Sequence, residues 1–241
     1  MIMKTKHFFT CLLLAVCFGP AGLMAQNQGE AQVSGDTVQY GPLDLWGVGL
    51  KASTDGVGFE LVKGFGERIN LRLGYASLNV PYSQAVQQED IDLNAAANFK
   101  FGGVSFFVDF YPVKNVIHLT GGIMYNQMVH SITITSLSEF PFGDIMVPPE
   151  DVGFVKATLT PGTRVSPYMA LGFGNTLSRQ HRVSVNFELG ALYYGSPQLD
   201  LTGDGIVGPL ASEHNESVIM ASIAQYQWFP MISFQLSFRI I

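Results

Sequence analysis

Apolar and polar residues alternate along most of the chain beyond residue 42. In VSVNFELGALYY, residues 183–194, the odd positions up to Tyr193 are apolar, while the even positions up to Gly190 are Ser, Asn, Glu or Gly. Successive side chains on a β-strand point to opposite faces, so this period predicts a strand with one apolar and one polar face.

Eight segments share this period of two and predict eight strands. In the fourth, residues 91–110, the apolar positions change from odd to even after Gly102 and Gly103. Paired glycines at a change of face predict a β-bulge. In chain order the segments are DLWGVGLKAS, VGFELVKGF, INLRLGY, residues 91–110, VIHLTGGIMYN, PYMALGFG, VSVNFELGALYY and MISFQLSFRI.

Apart from the first connection, which is short, the connections between these segments alternate in length. Residues 79–90, 128–166 and 195–228 form long connections, while the second, fourth and sixth connections are short turns. An up-and-down barrel in the outer membrane, with both termini in the periplasm, has short turns on the periplasmic side and long loops outside. The order therefore predicts such a barrel, with the three long connections as surface loops.

Charged residues make up only 13% of the chain, although 47% is hydrophobic. An ordinary soluble domain carries about 25% charged residues, so a water-facing surface would be poorly covered. We therefore predict that the apolar faces point outward to lipid and the polar faces inward. The predicted fold is all-β: an eight-stranded antiparallel up-and-down transmembrane β-barrel over residues 42–241.

The N-terminal residues predict export. Residues 1–25 have Lys4 and Lys6, an apolar stretch and a small-residue end at Ala25, as in a cleaved signal peptide. Residues 26–41 are polar and predict a flexible periplasmic leader. Cys17 leaves a lipoprotein as the alternative. The predicted location is the bacterial outer membrane.

Cleavage of the signal peptide removes both cysteines and also removes Lys4 and Lys6. The mature chain then has 11 basic and 19 acidic residues, a net charge of −8. This excludes disulfides in the mature chain. It also gives no basic patch for nucleic acid.

A polar network is predicted inside the barrel. Charges in so narrow an interior must be paired, because an isolated buried charge costs several kcal/mol. If PVKN is a four-residue turn, Asp109 lies opposite His118. Glu60 and Arg72 are expected inward on adjacent strands, as are Glu188 and Arg239. We interpret the set as structural, with no catalytic, cofactor-binding or metal site. Its members are Lys51, Glu60, Arg72, Asp109, His118, Glu188 and Arg239.

The segments FFVDFYP, SPYMALGFGN, FELGALYYGSP and YQWFPMISFQLSFRI resemble a little-characterised family of small bacterial outer-membrane β-barrels. This family sits among the OmpA/OmpX-like eight-stranded folds, and the resemblance covers residues 45–241. It implies a fold, a membrane location and a helix in the last loop, but no biochemical activity. PLASEHNESVIMASIAQYQ fits that helix, with Ser212 as its N-cap.

The expected partners are outer-membrane lipid and lipopolysaccharide. The barrel-assembly machinery and periplasmic chaperones are expected partners during biogenesis. We expect a monomer.

Two kinds of chemistry remain as alternatives in the loops. His130 with Ser131, or His214 with Ser217, would suit an enzyme acting on lipid A, although neighbouring strand residues point to opposite faces. Residues 200–205 resemble the start of a calcium loop that lacks its last carboxylate.

The preferred function is that of a non-catalytic barrel that acts structurally or through its surface loops, in adhesion or ligand contact. A narrow small-solute channel is the alternative, and a lipid A-modifying enzyme the third.

Overall fold

Antiparallel β-strands form most of the computed structural model, which describes residues 45–88, 91–113, 117–142 and 145–240. These residues belong to one compact unit, Tyr40–Ile241. The predicted signal peptide, residues 1–25, and leader, residues 26–41, lie outside the described residues. The all-β antiparallel class predicted from the alternation is confirmed.

Thirteen strands, two α-helices and one 3₁₀ turn (Gly208–Leu210) make up the described residues. The strands are β1 (Leu45–Ser53), β2 (Gly56–Phe65), β3 (Ile69–Gln88), β4 (Ile91–Val113), β5 (Ile117–Asn126), β6 (Val129–Ser136), β7 (Phe140–Phe142), β8 (Ile145–Val147), β9 (Phe154–Thr160), β10 (Val165–Gly174), β11 (Val183–Tyr193), β12 (Gln198–Gly203) and β13 (Trp228–Arg239). The helices are α1 (Pro149–Val152) and α2 (Glu213–Ile223).

Eight strands pair in a closed ring, in the order β1, β2, β3, β4, β5, β10, β11 and β13. The ring closes where β13 pairs with β1, with Arg239 opposite Gly47. We call the end that holds Leu45 and Arg239 the lower end. The β1–β2 turn and the long connections lie at the other, upper end.

The main sheet has eleven strands, so the predicted count of eight is wrong for the sheet as a whole. Segments 79–90 and 128–166, predicted as loops, continue largely as strands, and 195–228 contains β12. These segments form strands because they also contain alternating sequences. Strand β6, VHSITITS, for example, keeps the period of two that the ring strands show. We call the additional structure the upper sheet: residues 78–88 of β3, residues 91–101 of β4, β6, β9 and β12.

The ring presents its apolar side chains outward. Across the middle of four neighbouring strands, the outward row Leu61, Leu73, Phe106 and Ile123 is 40% to 52% exposed. The alternate residues point inward and are mostly polar and buried, such as Ser184 and Asn186 on β11. A folded chain in water would bury the first set and expose the second.

The upper sheet reverses this arrangement. Leu78 stays paired with Phe101, and Ala76 with Gly103, so the register of β3 and β4 passes from the ring into the upper sheet without interruption. The face that continues the ring interior becomes largely apolar, and the opposite face becomes largely polar. The apolar face carries Leu78, Val80, Tyr82, Ala95, Ala97, Phe99, Phe101, Ile132, Ile134, Ala157, Leu159, Leu199 and Leu201, by strand position.

The β-bulge predicted at Gly102 and Gly103 is therefore wrong. The change of apolar phase comes from a change of surroundings along one continuous strand. Gly102 has a φ of +122°, and at this point β4 exchanges its neighbour β5 for β6.

Helix α2 is the predicted last-loop helix, and Ser212 is its N-cap: the Asn215 backbone N–H donates to Ser212 Oγ at 3.4 Å. None of its residues is buried, and it packs beside β12 rather than inside the ring. No helix among the described residues has the length and apolar character to cross a membrane.

Candidate functional site

Arg72 lies at the centre of the ring interior, where it is 1% exposed. Strand β3 carries it inward between Glu60 on β2 and Asp109 on β4. Its Nη1 donates to Glu60 Oε2 at 3.2 Å, and its Nη2 lies 2.8 Å from Asp109 Oδ1 and 2.6 Å from Glu188 Oε1. One guanidinium therefore joins carboxylates from three strands.

Lys51 extends this arrangement toward the upper end. Its Nζ lies 3.3 Å from Asp55 Oδ2 and 4.0 Å from Glu60 Oε1, and all three side chains are buried. Ser53 also donates to Asp55. We call Lys51, Asp55, Glu60, Arg72, Asp109, His118 and Glu188 the ionic cluster.

His118 completes the cluster from β5. Its Nε2 lies 3.1 Å from Glu188 Oε1, and its ring packs against Tyr111 at 4.8 Å. Gly172 on the next strand makes room for it, since a Cβ there would come within 2.1 Å of His118 Nε2. A small residue thus stands beside a large one inside the ring.

Neutral donors add hydrogen bonds to Asp109 and Glu188, whereas Glu60 Oε1 accepts none from the described residues and lies 4.0 Å from Lys51 Nζ. Thr120 and Thr176 each donate to Asp109 at 2.9 Å, to its Oδ1 and Oδ2 respectively. Asn186 Nδ2 donates to Glu188 Oε1 at 2.8 Å. Buried charges are stable only when paired and hydrogen-bonded in this way.

An apolar layer packs against the ionic cluster on the side that leads to Phe101 of the upper sheet. Phe107 forms the boundary, with its ring centre 5.3 Å from Arg72 Cζ and 5.7 Å from Lys51 Nζ. The buried members of this layer are Phe107, Met124, Met128, Tyr168, Leu192 and Met231.

The turn after β10 closes the lower end. Thr176 is fully buried: it accepts a hydrogen bond from Asn70 Nδ2 at 2.7 Å and lies 2.9 Å from the Tyr111 hydroxyl. A pocket of about 140 Å³ opens below this turn, and its lining extends inward to Asn70 and Tyr111. The interior is therefore filled at three levels, by the turn, the ionic cluster and the apolar layer.

Six of the seven residues predicted for the interior network come together in the cluster, and Arg239 lies elsewhere. It sits at the lower end of β13, where its guanidinium donates to the backbone carbonyl of Arg179. The cation that contacts Glu188 is Arg72.

The predicted placement of Asp109 opposite His118 is wrong. Asp109 pairs with Thr120, because β4 continues to Val113, which pairs with Ile117, so PVKN is not the four-residue turn that the prediction assumed. Asp55 and Thr176 were not predicted either. Both lie in turns, where the period of two gives no signal.

Three cluster residues have the side chains of a metal site. The donor atoms of Asp109, His118 and Glu188 lie within 4.8 Å of one another. The Arg72 guanidinium contacts both carboxylates at hydrogen-bond distance, so a cation of the protein already neutralises them. The donor set fits an internal salt bridge better than a metal ion.

The loop residues considered for catalysis do not form a nucleophile–base pair. His130 and Ser131 are adjacent on β6 and point to opposite faces, and the His130 ring packs against Phe101 at 4.7 Å. The Ser217 hydroxyl donates to the backbone carbonyl of His214 at 2.7 Å.

The residues that resemble a calcium loop adopt another structure. Asp200 and Thr202 are extended in β12, paired with β9. Asp204 Oδ1 accepts the Gly205 backbone N–H at 2.8 Å, as in an ordinary turn.

No family model matches the sequence, and no curated protein matches it. Its fold is similar to two crystal structures from Acinetobacter baumannii. The first, CarO2, is 16% identical with a TM-score of 0.55, over 82% of this chain and 99% of that chain. The second, CarO, is 19% identical with a TM-score of 0.52, over 80% of this chain and 96% of that chain. At this identity the similarity concerns the fold alone.

Proposed function

We propose that this chain is an integral protein of the bacterial outer membrane, a non-catalytic eight-stranded β-barrel. In this proposal the ring spans the lipid, in the manner of the OmpA/OmpX-like barrels. The upper sheet stands on the cell surface and makes contact with other molecules there.

The reversal of faces between the ring and the upper sheet carries this proposal. A strand surrounded by lipid exposes apolar side chains, and the same strand in water exposes polar ones. On β4 the outward residues Phe106 and Val104 are 44% and 41% exposed, whereas Asn98 and Lys100, further along the same face, are polar and also exposed. Lipid around the ring and water around the upper sheet account for both halves of one strand.

Strand lengths and aromatic residues agree with a bilayer. A transmembrane β-strand needs about 9 to 11 residues, and β1, β2, β5, β10 and β11 have 9, 10, 10, 10 and 11. Aromatic side chains mark both membrane interfaces in such barrels. Trp46 and Phe65 lie toward the lower end, and Tyr75, Tyr125 and Trp228 toward the upper end.

The filled interior argues for a structural or surface role rather than transport or catalysis. The ionic cluster is buried between the apolar layer and the lower turn, so a substrate would have to displace packed side chains to reach it. The apolar face of the upper sheet, in contrast, holds Tyr82, Ile132 and Ile134 at 43% to 55% exposure. Exposed apolar patches of this kind are typical of contact sites.

Site-directed spin labels test the membrane assignment. Labels at Phe106 and Phe234, on the outward face of the ring, should report hydrocarbon in reconstituted vesicles. Labels at Asn79 and Asn98, on the outer face of the upper sheet, should report water. Water at all four positions would show that the ring is not embedded, and the proposal would fail.

The surface role has a separate test. The variant Tyr82→Ser/Ile132→Ser/Ile134→Ser should keep the outer-membrane location, and cells that carry it should adhere less to apolar surfaces than cells with the wild type. Unchanged adhesion would remove the contact role and leave the membrane assignment intact.

A further inference from the structure

A groove of about 530 Å³ lies on the outer side of the protein, where the ring meets the upper sheet. Two basic side chains, Lys100 and Arg164, line it together with Tyr125, Gln127 and Thr160. Both basic residues are exposed. None of the described residues that line the groove carries a carboxylate.

The groove is held by hydrogen bonds between its walls. The Asn126 backbone N–H donates to the Arg164 carbonyl at 2.6 Å, and the Gln127 N–H donates to the Gly102 carbonyl at 3.0 Å. The Arg164 guanidinium lies 3.5 Å from the Tyr125 hydroxyl. Ring and upper sheet are thus joined at this level, with Arg164 placed at the junction.

The groove adjoins the upper edge of the apolar belt. Arg164 directly precedes Val165, an outward residue that is 55% exposed, and Tyr125 is 43% exposed. Lys100 lies on the same outward row of β4 as Val104 and Phe106. A molecule with an apolar tail and an anionic head would therefore touch the belt and both cations at once.

The charge distribution singles out this location. The described residues among 78–102, 126–164 and 194–229, at the upper end, include eight acidic residues but only three basic ones, Lys100, Lys156 and Arg164. Lys100 and Lys156 lie on the polar outer face of the upper sheet, and Arg164 lines the groove at the base of that face. The two cations nearest the ring, Lys100 and Arg164, are complementary to an anionic headgroup layer, whereas the acidic remainder of the upper end would be repelled by it.

We propose that the groove between Lys100 and Arg164 binds the phosphorylated headgroup of a lipid in the outer leaflet. Arg and Lys form strong charge-assisted hydrogen bonds with phosphate oxygens. The Thr160 hydroxyl and the Gln127 amide supply further donors. This inference rests on the proposed membrane function, because it requires the apolar belt to lie in lipid.

Native mass spectrometry of the full mature protein in detergent micelles tests the proposal, with bisphosphorylated lipid A and fully dephosphorylated lipid A as probes. The wild type should bind the phosphorylated form roughly tenfold more tightly, or better, since a hydrogen bond to a charged group contributes about that much. Lys100→Gln/Arg164→Gln should lose this preference. The matched control Lys156→Gln, on the same face but outside the groove, should keep it.

Equal binding of the two lipid A forms by the wild type, or an unchanged preference in the double variant, would overturn the proposal. If millimolar inorganic phosphate displaced the lipid completely, the site would be one for soluble phosphate, and the lipid assignment would fail. Spin labels at Phe106 and Phe234 separate these results from a failure of the membrane assignment. Hydrocarbon at those labels without a phosphate preference refutes only the groove.

Discussion

At the scale of single residues, Arg72 determines the chemistry of the interior. Its guanidinium contacts Glu60, Asp109 and Glu188, and all four side chains are 1% exposed or less. A planar guanidinium with five N–H donors can satisfy several carboxylates at once, which an ammonium group does less well. Arg72 is therefore the one residue that contacts all three carboxylates.

Replacing Arg72 should destabilise the protein strongly. Arg72→Met leaves buried carboxylates without their cation, and removing one partner of a buried pair costs about 3–5 kcal/mol. Urea-induced unfolding from lipid vesicles would measure the loss.

Arg68→Met is the control. Arg68 is exposed and directly precedes β3, the strand that carries Arg72, so this substitution should change stability by less than about 0.5 kcal/mol. In Arg72→Met/Asp109→Asn/Glu188→Gln the cation is removed together with two of its three carboxylates, while Glu60 keeps Lys51 at 4.0 Å, and most of the stability should return. A triple variant no more stable than Arg72→Met would contradict this account of the cluster.

At the scale of elements, β4 is the strand that passes between two environments. Its ring segment pairs with β5, its upper segment pairs with β6, and Gly102 lies where the neighbours change. A Cβ at this position would come within 2.2 Å of the Ala76 carbonyl oxygen, and the φ of +122° suits glycine. Gly102 therefore lets one strand serve two sheets.

Substitution of Gly102 should cost stability through this backbone. Gly102→Ala is expected to destabilise by about 1–3 kcal/mol, as for other residues forced into sparsely populated φ/ψ regions. Gly121→Ala is the matched control on β5, because a Cβ there has no atom within 4 Å. Equal midpoints for the two variants in urea titrations would contradict the assigned role.

The elements also show how far the sequence could be read. The alternation of apolar and polar residues located the ring strands, because each ring strand has polar side chains on its inward face and apolar side chains on its outward face. It did not reveal β6, β9 and β12, because the three long segments were assigned as loops from their length alone. Inward positions such as Glu60 and Glu188 followed from strand parity. The interior positions of Thr176 and Asp55 could not be predicted in this way, because both residues lie in turns that only tertiary folding brings into the interior.

At the scale of the whole molecule, the outward face of the ring distinguishes a membrane protein from a soluble one. Leu73 lies near mid-height of the ring at 52% exposure, while Asn98 is exposed on the outer face of the upper sheet. In water both positions would tolerate a charge. In a bilayer only the second would.

Arginine at these two positions should separate the cases. Leu73→Arg is expected to reduce the free energy of folding into vesicles by about 2–4 kcal/mol, the cost of Arg on the lipid face near the bilayer midplane. Asn98→Arg should have an effect within about 0.5 kcal/mol. Equal, small effects of both substitutions would argue for a soluble protein.

The filled interior predicts that the wild type does not conduct. Planar bilayers with the reconstituted protein should show no discrete current steps, because the lower turn, the ionic cluster and the apolar layer occupy the ring in succession. Discrete openings in the wild type would favour the small-solute channel instead. A preparation of known conducting porin, added to the same bilayer, is the control for the measurement.

Pairing of β1 with β13 has a consequence for biosynthesis. The two strands that close the ring are its first and last, 175 residues apart in sequence between Ser53 and Trp228. Until β13 has been synthesised, β1 pairs with β2 alone in the ring, and the cylinder stays open along one seam. In the proposed outer-membrane location, the polypeptide must therefore be kept from aggregating before the ring closes, and the ring can close only after β13 has been synthesised.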